Sequence, residues 1–170
     1  MERIAEKPPF RLHSPAFAYG ERIPREYTCD GRDVSPPLSV ESVPEDAESL
    51  ALIVEDPDAP GGTWIHWRLW NIAPTTTLIR EGSVPAGAIV GRNSFGQPCY
   101  GGPCPPNGEH AYIFRIYALR APLHLPAEAT ELMFRNALLG NTIAEADLVG
   151  YYRRPIEGLK TGPGPGVAAC

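Results

Sequence analysis

Lysine is nearly missing from this chain: only Lys7 and Lys160 occur, beside thirteen arginines. The cations form no run, and the formal charge is −5. That balance argues against general affinity for nucleic acid or for an anionic membrane surface. Long hydrophobic runs are also lacking. The longest is five residues, Leu50 to Val54, far short of the roughly 20 that a membrane-spanning helix needs. The opening MERIAEKPPF has no apolar core of a secretory signal, so the expected compartment is the cytoplasm. Cysteine is sparse, at positions 29, 99, 104 and 170. The spacing of 99 and 104 is not a usual zinc spacing, and no second pair follows it. In a cytosolic chain all four are expected as free thiols, a disulfide being the alternative. Neither a nucleophile elbow of the G-x-S-x-G type nor a Walker phosphate loop occurs. No cofactor is expected.

What the chain has in excess is proline and glycine, 20 and 17 of its 170 residues. An interior proline removes a helical hydrogen-bond donor and clashes with the preceding turn, so bundles and coiled coils are excluded. The hydrophobic share of 43% is ordinary for a folded protein and argues against disorder. The length suits one domain, able to bury roughly 70% of its unfolded surface. Three segments read as strong strands. Leu50–Glu55 is a continuous apolar strand buried on both faces. Trp64–Ile72 is its aromatic-rich return, after the turn residues of 56–62. Ala111–Arg120 is the third. Pro126–Leu139 reads as helical, ended by Gly140. A second short helix is expected over Asn141–Leu148, capped by Asn141 or Thr142, with a last strand over 149–153. Residues 1–9 are expected as a flexible arm, 10–156 as a single domain and 157–170 as a flexible tail.

The chemistry-bearing residues gather at strand ends. Asp56 closes the first strong strand. His66 lies in the return strand, with the alternation of Trp64, Arg68 and Trp70. His110 opens the third strand and shares a face with Tyr112 and Phe114. Between them runs NSFGQPCYGGPCPPNGEH, residues 93–110, an irregular segment whose Gly-Gly pair can bring bare N–H groups to a ligand. One carboxylate, two imidazoles and glycine amides make a small polar pocket suited to an anion's oxygens. Other readings of these residues are a two-His-one-carboxylate metal site, a Cys99 or Cys104 nucleophile with His110, and Ser94 with His66 and Asp56.

DPDAP at 56–60 with WIHW at 64–67, the segment GRNSFGQPCYGGPCPPNGEHAYIF at 91–114, and YTCDGRDVSPPL from Tyr27 occur in order. Together these motifs resemble the phosphatidylethanolamine-binding proteins, also called Raf-kinase-inhibitor-like proteins, and their bacterial and archaeal branch most. The resemblance spans about residues 10–154. It implies a mainly β fold: a β-sandwich around a large antiparallel sheet, with one or two short C-terminal helices. It also implies a cavity at one end that binds phosphate or a phosphorylated headgroup. Carried over by position, the ligand-binding residues are Asp56, Trp64, His66, Gly102, His110 and Tyr112, with Ala59, Pro60, Tyr100 and Pro103 as the wall. Ala111 follows His110 where this family usually has Arg.

The function expected is non-enzymatic binding of a small anion or phosphorylated small molecule, without a metal. Asp56 is expected to orient the imidazoles and keep one protonated. The alternatives are a protein inhibitor of a kinase or serine protease acting through the pocket-rim loops, and a metal-dependent hydrolase. The oligomeric state is left between monomer and homodimer.

Overall fold

The computed structural model describes residues 5–155 and Cys170. The chain runs β1 (Arg11–His13), a 3-10 turn at Arg25–Tyr27, β2 (Leu38–Glu41), β3 (Ser49–Asp56), β4 (Trp64–Ile72) and β5 (Leu78–Ile79). There follow β6 (Ile89–Val90), β7 (Glu109–Leu119), α1 (Glu131–Leu138) and β8 (Thr142–Arg153). Two antiparallel sheets result, a small one ordered β1-β2-β5 and a large one ordered β6-β4-β3-β7-β8. The fold is mainly β, as the proline content and the strand patterns require. Residues 5–9 of the expected arm are exposed and without regular structure. Residues 1–4 and nearly all of the expected tail lie outside the described residues.

Every residue of β3 is buried, because this central strand is covered on both faces. Leu50, Leu52 and Val54 alternate into the core between the two sheets, where they meet Leu38 and Val40 of β2 and Ile79 of β5. Ala51 and Ile53 point the other way, into a second core closed by Leu123, Ala129, Phe134 and Leu138. Alternation of side chains with period two makes both cores from one strand. α1 is held there by Phe134, whose ring lies 5.7 Å from Trp70. Its N-terminus is capped by Thr130, whose hydroxyl accepts from the Met133 N–H. Burying Phe134 and Leu138 contributes roughly 1.5–3 kcal/mol each. The outer core is also pinned by Arg68, whose guanidinium donates to the carbonyls of Arg92 and Ala129.

The structure corrects the second helix. Asn141–Leu148 is not helical, and Thr142–Arg153 is one continuous edge strand paired with β7. The Ala, Glu and Leu of this segment favour a helix locally, but an eleven-residue neighbour offers a ladder of hydrogen bonds and cross-strand pairs. Arg115 donates to Asp147 across that ladder at 2.7 Å. Pairing of this kind overrides local propensity. Among the described residues, only α1 is an α-helix in this part of the chain.

The free-thiol expectation is also overturned. Cys29 is bonded to Cys104, and Cys99 to Cys170. Both bonds staple one short loop, residues 99–104, at its two ends. The thiol expectation rested on a compartment rather than on any residue, and spacing along the chain cannot show that residues 29 and 104 meet.

Candidate functional site

The site forms where β3 and β4 part and β7 begins. Asp56 is the last residue of β3 and shares the face of Leu52 and Val54. Its Oδ1 accepts the Asp58 N–H at 2.8 Å, which starts the turn. Its Oδ2 accepts the Nδ1–H of His110 at 2.7 Å. Asp58 Oδ2 in turn accepts the Ala111 N–H at 2.8 Å. The β3–β4 turn is therefore tied to the start of β7 by two carboxylates, the buried Asp56 and the exposed Asp58.

His66 reaches the same place through an irregularity. Opposite β3, Ile65 pairs with Glu55 and Trp67 pairs with Val54. His66 is the extra residue of a β-bulge, a device that re-aims a side chain. The bulge breaks the alternation expected from sequence. Arg68 and Trp70 face the outer core, whereas the His66 ring packs 5.2 Å from Tyr112 in the inner one. Its Nδ1 lies 2.6 Å from the Gly101 carbonyl. A carbonyl only accepts, so Nδ1 carries the proton, and a ligand can address the ring only through Nε2. Burial dominates the titration of His66 and pushes its pKa down to about 4, against smaller raising effects of the Gly101 carbonyl and Asp56.

These side chains border a cavity of about 280 Å³. Asp56, Trp64, His66 and Tyr112 line it, with Ala59 and Pro60 at the turn. Phe95, Cys104, Pro105 and Pro106 complete the lining. Phe95, Pro105 and Pro106 were not singled out from sequence, and Cys104 was weighed there only as a nucleophile, although all four lie in the Pro- and Gly-rich 91–114 segment. An aromatic in so irregular a segment was the signal for Phe95, which packs edge-on against both Trp64 and His66. Loop 91–98 is set beside β4 by Ser94, whose Oγ accepts the Ile65 N–H at 2.8 Å.

Tyr112 stands between the two imidazoles, with ring centroids 5.2 Å from His66 and 6.5 Å from His110. Its hydroxyl is fully buried and makes no well-formed hydrogen bond, although it lies within reach of the Asp56 carboxylate and the Cys104 backbone. Burial, and then the Asp56 charge, push its pKa well above the usual phenol value. It is thus a neutral donor held at the cavity. Among the described residues no Lys or Arg lines the space, so any positive charge there must come from an imidazole.

The remaining sequence candidates take other positions. His110 is buried behind Asp56 rather than in the lining. Gly102 donates its N–H to Asp33 Oδ1 at 2.7 Å. Tyr100 turns away, donating to the Tyr27 carbonyl at 2.7 Å and packing edge-on to Trp67. It lines a separate hollow beside Asp33 and Val34. Pro103 offers its carbonyl to the Cys29 N–H.

Similarity to known proteins agrees with this frame. The model of the phosphatidylethanolamine-binding protein family matches residues 13–153. The chain belongs to that family. A relative from Methanothermobacter thermautotrophicus, known as a UPF0098 protein, is 47% identical over 148 residues, covering 84% of this chain and 98% of that one. A UPF0098 protein of Chlamydia pneumoniae is 44% identical over 149 residues, 85% of this chain and 99% of its own. Among solved structures, the phosphatidylethanolamine-binding protein homolog CT736 of Chlamydia trachomatis superimposes with a TM-score of 0.82. It has 42% identity and covers 86% of this chain and 98% of its own. E. coli YBCL, a member of the same family, gives 0.81 at 32% identity, over 86% and 99%.

In this family member the other chemical readings meet specific obstacles. Cys99 and Cys104 have no thiol to act as a nucleophile. Ser94, His66 and Asp56 do not form a relay, because His66 Nδ1 is on Gly101 and Asp56 is on His110. Among the described residues no group of three or more His, Cys, Asp or Glu is arranged to hold a metal ion. No helix among them is long and apolar enough to cross a membrane.

Proposed function

We propose that this protein binds a small anion, a phosphate or a phosphorylated headgroup, in the cavity at the end of β3, and carries out no chemistry on it. The observation that carries the reading is the cavity bordered by Asp56, His66 and Tyr112, in which the buried Tyr112 hydroxyl has no well-formed hydrogen bond and its ring lies near both imidazoles. A buried hydroxyl left without a well-formed hydrogen bond is costly, and a ligand oxygen relieves that cost. His66 Nε2 supplies a second contact. Asp56 holds only His110, so the expectation that it fixes both imidazoles gives way to a division of labour. His66 is neutral near pH 7, and it takes up a proton as an anion enters. The apolar rim of Ala59, Pro60, Pro105 and Pro106 suits the carbon portion of a headgroup.

The test is a thermal-shift titration with inorganic phosphate and with phosphoethanolamine. A ligand at a hundredfold excess over its Kd stabilises the native state by about 2.7 kcal/mol, which raises Tm by roughly 5 °C or more for a domain of this size. Tyr112→Phe should fold as well as wild type and bind at least tenfold more weakly, since a hydrogen bond to a charged group contributes roughly 1.5–3 kcal/mol. No shift in wild type, or the same shift in both proteins, would sink the reading.

A further inference from the structure

The segment Tyr27–Asp33, YTCDGRD, has no part in the cavity lining, yet it is bound to the loop that orients His66. Tyr100 donates to the Tyr27 carbonyl, Cys29 donates to the Pro103 carbonyl and is bonded to Cys104, and Asp33 accepts from Gly102. The last of these contacts differs in kind. The Gly102 N–H and the Gly101 C=O belong to one peptide unit, planar and trans. Asp33 Oδ1 accepts from its N–H edge at 2.7 Å. His66 Nδ1–H donates to its C=O edge at 2.6 Å. The neighbouring Gly101 N–H donates back to the His66 carbonyl at 2.9 Å. This peptide is thus gripped on both edges, by a carboxylate and by an imidazole.

We propose that Asp33 is the positioning residue of His66, acting through the Gly101–Gly102 peptide to hold the ring as its Nδ1–H tautomer with Nε2 kept for the ligand. The proposal rests on the anion-site reading for its functional consequence, but its geometry does not. A carboxylate accepting from a peptide N–H polarises the peptide and strengthens the C=O as an acceptor. The tautomer of a histidine is set by the hydrogen bond its other nitrogen makes. His110 has its carboxylate in direct contact, and His66 has one relayed by a peptide.

Two further features mark the contact as built. Asp33 adopts φ 57°, a left-handed conformation uncommon outside glycine but tolerated by Asp and Asn. The side chain is thereby brought to the loop. Gly102 permits the approach, because a Cβ there would collide with Asp33 Oδ1, the Tyr27 carbonyl and Thr28 Cα. The disulfide and the Tyr100 and Cys29 hydrogen bonds hold the rest of the loop without Asp33. Replacing Asp33 therefore disturbs this peptide more than the fold.

The experiment uses the oxidised full chain, with side-chain ¹⁵N NMR of His66 at pH 7 and phosphate titration. Asp33→Gly keeps the backbone conformation and removes the acceptor; Asp33→Asn keeps an acceptor oxygen. Wild type should show the Nδ1–H form. Asp33→Gly should show a mixture of both tautomers and about tenfold weaker phosphate binding. Asp33→Asn should return both to within about threefold of wild type. A folded Asp33→Gly that keeps the pure Nδ1–H form overturns the proposal, whatever its phosphate affinity. A shifted tautomer in a protein whose wild type ignores phosphate supports the positioning role and removes the anion reading instead. Scalar coupling across the Gly102 N–H to Asp33 carboxylate bond is measured on wild type alone. Its absence overturns the proposal even where Asp33→Gly does not fold.

Discussion

Replacing His66 by Asn turns the burial of this imidazole into a measurable pH dependence. An Asn side-chain N–H can still donate to the Gly101 carbonyl, but it does not titrate. In the unfolded chain the imidazole has a pKa near 6.5, and in the folded chain burial pushes it down to about 4. Between those values the unfolded state binds more protons. Stability contributed by neutral His66 is therefore fully present above pH 6.5 and is lost as pH falls towards 4. At 1.36 kcal/mol per pH unit, that fall corresponds to about 3 kcal/mol. The ring is only 3% exposed, so screening by solvent removes little of it. Urea unfolding of both proteins from pH 4 to pH 8 gives the two stability curves. Carboxylates and the other histidines act on both curves and cancel in the difference. The wild-type curve should drop by about 3 kcal/mol more than that of the variant between pH 7.5 and pH 4. Saturating phosphate should reduce the extra drop, because a bound anion favours the imidazolium. Parallel curves without ligand would refute the argument that His66 is held neutral by burial.

Two further outcomes follow from the loop at 99–104. Replacing Cys29 and Cys104 together by Ser should lower stability by about 4 kcal/mol, from the chain entropy of a closed loop whose ends are 75 residues apart. An unchanged urea midpoint in the oxidised protein would contradict the pairing. Gly102→Ala should cost about 1–3 kcal/mol through overpacking against Asp33 and the backbone at Tyr27 and Thr28. A Tm equal to wild type would show that the loop is looser than the structure has it.

Much of the site was legible because its parts obey local rules. Asp56 continues the alternation of Leu50, Leu52 and Val54, and His110 and Tyr112 continue that of Phe114. Each could be placed on the inner face by counting in twos. His66 was found at the right end of the sheet but assigned the wrong neighbours. A bulge shifts parity by one, and no residue near His66 announces it. Tyr100 and Gly102 sit in the expected loop, yet the loop turns Tyr100 towards Tyr27 and spends the Gly102 amide on Asp33. That choice depends on a partner segment about 70 positions earlier in the chain.

The amino-acid sequence by itself determined the class of fold and the strands that carry it. Proline and glycine at this density forbid long helices, and an apolar run such as Leu50–Val54 has no stable place except between two covered faces. Those constraints act over a few residues, through backbone sterics and the alternation of Cβ directions. Only the tertiary structure decided that Thr142–Leu148 is strand, that Cys29 meets Cys104, and that Asp33 holds the peptide behind His66. Each of these depends on a partner distant in the chain. The free energy that selects them comes from pairing and burial, which exist only once the two sheets have closed on one another.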